Sequence, residues 1–66
     1  MANRLRKFRK NQGMTQVQLA ELVGCGQGLI SFYERGERHP TVHIAIRLAR
    51  ALDTTVEALF GGEVDG

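Results

Sequence analysis

The chain has 66 residues, of which 24% are charged, with a formal net charge of +2 and one cysteine. That length suits one small domain, residues 1–61 ahead of an acidic tail at 62–66, and a domain this size buries only about 60% of its unfolded surface. A lone thiol excludes an internal disulfide, His39 and His43 make no zinc quartet, and no apolar run reaches the roughly 18 to 20 residues of a membrane span, so a soluble cytoplasmic protein without metal or cofactor is expected.

Charge is uneven along the chain. Arg4, Arg6, Lys7, Arg9 and Lys10 crowd the first segment without an acid, whereas Asp53, Glu57, Glu63 and Asp65 occupy the last without a base. A basic segment is either a solvated helix face or a surface for nucleic acid. Enzymatic chemistry is not expected, because no paired carboxylates and no nucleophile with a base can be named, and the chain is short for a substrate pocket.

Apolar residues recur at three and four, and alternation is absent, so the spacing predicts helices throughout. The first runs from Ala2 to Gln12, with Leu5 and Phe8 as a narrow stripe and Gly13 as its exit. Thr15 and Gln18 form a capping box that opens a second helix, flanked by Met14 and Leu19 at the hydrophobic-staple positions. Leu19, Ala20 and Val23 continue that stripe until Gly24. A third helix spans Gln27 to Arg35, with Ile30 and Tyr33 inward and Gly36 as its stop. Two short helices about a glycine-containing turn form a helix-turn-helix. A polar loop, 37–40, leads to Thr41, which caps a fourth helix with a predicted stripe of Val42, Ala45, Ile46, Ala49 and Leu52. Thr55 caps a fifth, with Val56, Leu59 and Phe60 apolar, and the tail from 62 onward is expected to be disordered.

Thr15-Gln16, Leu19-Ala20, Gly24, Ile30-Ser31, Glu34-Arg35-Gly36, Pro40, Leu48-Ala49, Ala51-Leu52 and Leu59-Phe60, in this order, resemble the Cro and phage-repressor (XRE) type of helix-turn-helix domain. The resemblance spans Leu5 to Phe60. It implies a compact five-helix, lambda-repressor-like bundle that binds double-stranded DNA as a transcriptional regulator, with the third helix in the major groove and the second across the backbone. It further implies a homodimer on a pseudo-palindromic operator.

Carried over position by position, the resemblance makes Gln27, Gly28, Leu29, Ser31 and Phe32 the base-facing set. Gln16, Arg35, Arg38 and His39 become the phosphate-facing set, and Arg9 with Glu34 a structural ion pair. The family usually carries longer polar side chains at several base-facing positions, so specificity here is expected to lean partly on DNA shape. Cys25 stands where the family prefers a small apolar residue and reads as an inert thiol. Val17, Leu22 and Phe32 are apolar where the family is commonly polar, which keeps open an alternative: an interaction module or antitoxin that retains the fold and binds a protein partner.

Overall fold

Thr15, Thr41 and Thr55 hold extended backbone, and their hydroxyls accept from the amides of Gln18 (3.0 Å), Ile44 (3.3 Å) and Ala58 (3.0 Å). At Thr15 the box closes, because the Gln18 side-chain oxygen accepts from the Thr15 amide at 2.8 Å. Each such bond satisfies a donor that the first helical turn leaves orphaned and contributes ~1 kcal/mol. In the computed structural model, which describes residues 3–61, the helices are α1 (Leu5–Asn11), α2 (Gln16–Val23), α3 (Gln27–Glu34), α4 (Val42–Ala51) and α5 (Val56–Phe60). No strand occurs among the described residues, and the all-α five-helix architecture anticipated from the spacing is present. The acidic tail at 62–66 and a helix start at Ala2 lie outside the described residues.

Within those residues α1 begins at Leu5, later than the sequence suggests. Asn3 is the reason: its Oδ1 accepts from the Leu5 amide at 2.9 Å while its Nδ2 donates to the Tyr33 carbonyl at 2.8 Å. The Arg4 amide donates to the Leu59 carbonyl at 3.1 Å. The residues ahead of α1 thus bind α3 and α5 instead of adding a helical turn, a local competition at which asparagine excels.

α2 packs on α3 and α4, α4 packs on α5, and α1 closes the bundle against α3 and α5. Leu5, Leu19, Val23, Ile30, Leu48, Leu52 and Leu59 are fully buried, one or more from each helix. Each side chain buried this way contributes about 1.5–3 kcal/mol against solvent exposure.

The buried face of α4 keeps Ala45, Ala49 and Leu52 of the predicted stripe but is rotated toward Leu48 and away from Val42 and Ile46. Ala45, Leu48, Ala49 and Leu52 point inward at i, i+3, i+4 and i+7, whereas Val42 is 74% and Ile46 38% exposed. The apolar arc on this helix is wider than the buried face, and the side carrying Leu48 is the one covered, because α2 and α5 both lie against it.

The turn between α2 and α3 needs a left-handed residue. Gly24 has φ +83°, so the chain reverses directly after Val23, and the Gly24 and Cys25 amides both donate to the Ala20 carbonyl at 2.8 and 3.0 Å. α3 ends in a Schellman arrangement: Gly36, at φ +72°, donates to Tyr33 at 3.1 Å, and Glu37 donates to Phe32 at 3.0 Å.

Candidate nucleic-acid interface

α3 presents Gln27, Gly28, Ser31, Phe32 and Arg35 along one side, a spacing that keeps them together over two turns. Gln27, Gly28 and Phe32 are exposed and Ser31 is half-buried, while Leu29 is half-buried and packs against the core. At Gly28 an added Cβ meets no atom within 4 Å, so packing within the domain does not require glycine there.

Behind this side runs a string of hydrogen bonds. Gln27 Nε2 donates to Gln16 Oε1 at 3.1 Å, and Gln16 Nε2 donates to Glu34 Oε1 at 3.1 Å. Glu34 also accepts from Arg9, whose Nε reaches Oε2 at 2.6 Å and whose Nη2 reaches Oε1 at 3.2 Å. Arg9 Nη1 completes the string on the Met14 carbonyl at 2.7 Å. The Arg9 and Glu34 side chains are only 9% and 4% exposed. A charge pair at that depth persists only with its remaining donors and acceptors filled, and among the described residues no buried side-chain polar atom lacks a partner. α1, α2 and α3 are therefore tied together directly beneath Gln27.

The far end of α3 carries a second group of charges. Arg35 Nε and Nη2 donate to the two Glu37 oxygens at 3.1 and 3.3 Å, and Arg35 Nη1 donates to Ser31 Oγ at 2.6 Å. The Arg35 and Arg38 guanidinium carbons lie 5.0 and 5.6 Å from the Phe32 ring centroid, within cation–π range. Arg38 and His39 stand exposed on the following loop. An open notch between the two groups is lined by Arg6, Arg9, Gln16, Ser31, Glu34 and Arg35, which adds Arg6 of α1 to the side chains around this face.

The bonds of Gln16 to Gln27 and Glu34 were not legible in the sequence, since separations of 11 and 18 residues carry no periodic signal. Arg35 to Ser31 at i, i+4 was legible in principle, as a pair on one helix face. Cys25 is half-buried, and burial pushes its thiol above its ordinary value, which leaves it a poor nucleophile near neutrality. Among the described residues no cluster of three metal-ligating side chains converges, and no helix is long and apolar enough to cross a membrane.

Residues 5–59 match the helix-turn-helix family over its two characteristic helices and the three around them. The chain belongs to the helix-turn-helix family. An uncharacterised HTH-type transcriptional regulator of Archaeoglobus fulgidus is 40% identical over 60 residues, covering 91% of this chain and 86% of its own length. Among solved structures, the restriction-modification controller protein C.AhdI of Aeromonas hydrophila superposes with a TM-score of 0.80 at 37% identity, over 86% of each chain. The DNA-binding domain of the P22 C2 repressor superposes with a TM-score of 0.82 at 31% identity, over 94% of this chain and 82% of that one. These likenesses bear out the resemblance to Cro and phage-repressor domains that the sequence motifs carry.

Proposed function

We propose that this helix-turn-helix protein is a transcriptional regulator that binds double-stranded DNA in a sequence-specific way, with α3 in the major groove. The observation that carries this reading is the Gln27–Gln16–Glu34–Arg9 string, which holds an exposed glutamine at the start of α3 on a rigid footing. Gln27 spends one amide hydrogen on Gln16 and keeps a second hydrogen and its carbonyl for an adenine edge, the bidentate pairing that glutamine makes with N7 and N6. Gln16 likewise keeps one amide hydrogen for a phosphate oxygen at the N-terminus of α2.

Gly28, Leu29, Ser31 and Phe32 complete the base-facing set. Ser31 offers a hydroxyl, and Phe32, with Leu29 behind it, offers apolar contact to a thymine methyl. Arg38 and His39 flank them at backbone level, and Arg35 sits between the two sets with its guanidinium already engaged. α3 is eight residues long, roughly 12 Å, which reaches only a few base pairs. A second copy on a pseudo-palindromic half-site supplies the rest of the specificity.

Selection from a random-core duplex pool, followed by anisotropy titrations at several salt concentrations, tests the reading. A two-fold-symmetric motif is expected, with log K falling by about 0.9 per neutralised phosphate for each unit of log salt. Tight binding with a flat salt response, or selection that enriches nothing, refutes it.

A second reading, docking of a partner protein, is favoured by the exposure of Val17 and Leu22 on α2, apart from Phe32, which lies against the two arginines. Leu22→Glu separates the two: loss of a partner with unchanged DNA binding supports it, and no effect on either removes it.

A further inference from the structure

Arg35 is an exposed cation at the end of α3 whose guanidinium is held by three of its own neighbours. Two of its nitrogens face the Glu37 carboxylate, a third faces the Ser31 hydroxyl, and its guanidinium lies over the Phe32 ring. We propose that Arg35 is a positioning residue for base recognition and not a phosphate clamp, and that Glu37 is the group that withholds it from the DNA backbone. The proposal rests on the DNA-binding reading above.

The argument follows from what each bond leaves available. A fork-to-fork pair with a carboxylate occupies the Nε–Nη2 edge of the guanidinium, so a phosphate must either displace Glu37 or approach the remaining donors against its charge. An exposed ion pair alone is a weak restraint. Here the Ser31 bond and the ring contact act on the same guanidinium, so releasing it breaks three contacts together.

The bond to Ser31 also shapes what the helix reads. Because the hydroxyl oxygen accepts from Arg35 at 2.6 Å, its own hydrogen points elsewhere, and the adjacent cation disfavours the approach of an amino group. Ser31 therefore faces a base as a donor. On the major-groove edge guanine presents N7 and O6 and thymine presents O4, in both cases with no donor, whereas cytosine presents its N4 amine. The base opposite Ser31 is expected to be guanine or thymine, with cytosine most strongly excluded.

Two measurements on the intact chain test this. The first selects duplexes from a random-core pool with the unsubstituted protein, Ser31→Ala, Arg35→Gln and Glu37→Gln. A position restricted to guanine or thymine in the unsubstituted motif, with the restriction lost from both Ser31→Ala and Arg35→Gln, is expected. A motif unchanged in Arg35→Gln overturns the positioning role.

The second titrates one duplex of fixed mixed sequence against salt, with Glu37→Gln, Arg35→Gln and the double variant. Glu37→Gln is expected to bind several-fold more tightly with a slope steeper by about 0.9 per subunit, and the gain is expected to vanish in the Arg35→Gln background. An equal gain in both backgrounds makes Glu37 a mere repulsive charge, and no gain removes the restraint; either result overturns the proposal. If the unsubstituted protein shows no salt-dependent duplex binding, the DNA-binding reading fails and this proposal with it. Melting curves check that each variant is folded, an outcome that the exposed positions of Arg35 and Glu37 favour.

Discussion

The two arginine–carboxylate pairs at the C-terminal end of α3 have the same chemistry and opposite settings. Arg9 and Glu34 join α1 to α3 across 25 residues of sequence with side chains 9% and 4% exposed, whereas Arg35 and Glu37 are two residues apart and 51% and 53% exposed. Water screens the second pair and not the first. The inner pair therefore bears on whether the domain folds, and the outer one on what its surface does with a charge.

The largest expected effect breaks the inner pair. Glu34→Ala leaves Arg9 buried without its partner and is expected to cost about 3–5 kcal/mol, which in a domain of this size lowers the melting midpoint by more than about 12 °C. Thermal melts beside Glu37→Ala decide it, since equal midpoints mean that burial does not separate the pairs.

Next comes the residue that the inner string supports. Gln27→Ala is expected to weaken binding to the selected operator by about 1–3 kcal/mol and to relax one base pair per half-site, whereas Gln16→Ala weakens all sequences alike. An identical selected motif for Gln27→Ala and the unsubstituted protein removes the base-reading role of Gln27.

Gly28 probes the same end of α3 with no internal contact to lose. Alanine there meets open space and is expected to stabilise the fold by up to about 1 kcal/mol while weakening operator binding, if the absent side chain serves close approach to DNA. A higher melting midpoint with an unchanged dissociation constant makes Gly28 neutral on the reading face.

Burial raises the Cys25 thiol above 9.0, and burial foremost, then the nearby Cys25, raises the Tyr33 hydroxyl above 10.0, with Arg38 opposing. Their unfolded-state counterparts ionise first as pH rises, so the stability present below pH 9 declines through the interval up to the raised folded values. Melting midpoints measured from neutral to alkaline pH are expected to fall, and Cys25→Val to remove the earlier part of the decline. The smallest effect belongs to Glu37→Ala, whose cost to stability is expected to stay below about 1 kcal/mol.

Most of the helix limits were legible because they are set locally. A threonine hydroxyl reaches an amide three residues on, and a left-handed glycine needs only the last turn behind it, so Thr15, Thr41, Thr55, Gly24 and Gly36 carry their meaning within a few residues. Even this has an exception. α4 ends in a Schellman arrangement with Asp53 at φ +55°, Asp53 donating to Arg50 at 3.2 Å and Thr54 to Ala49 at 2.8 Å, a place where no glycine marks the turn.

What only the tertiary structure decided involves a choice between elements. α4 has a broad apolar arc, and its sequence placed Ala45, Ala49 and Leu52 on the buried side but not the turn toward Leu48 that α2 and α5 select. Asn3 suits a helix start or a docking contact, and only the nearness of Tyr33 selects the second. The candidate DNA face divides in the same way. Its residue types and their order along α3 lie in the sequence, but the bonds that hold Gln27 on Gln16 and Arg35 between Glu37 and Ser31 exist only once the side chains share a surface. Hydrogen bonding depends on distances of about 3 Å, whereas sequence patterning reports only which side of a helix a residue occupies.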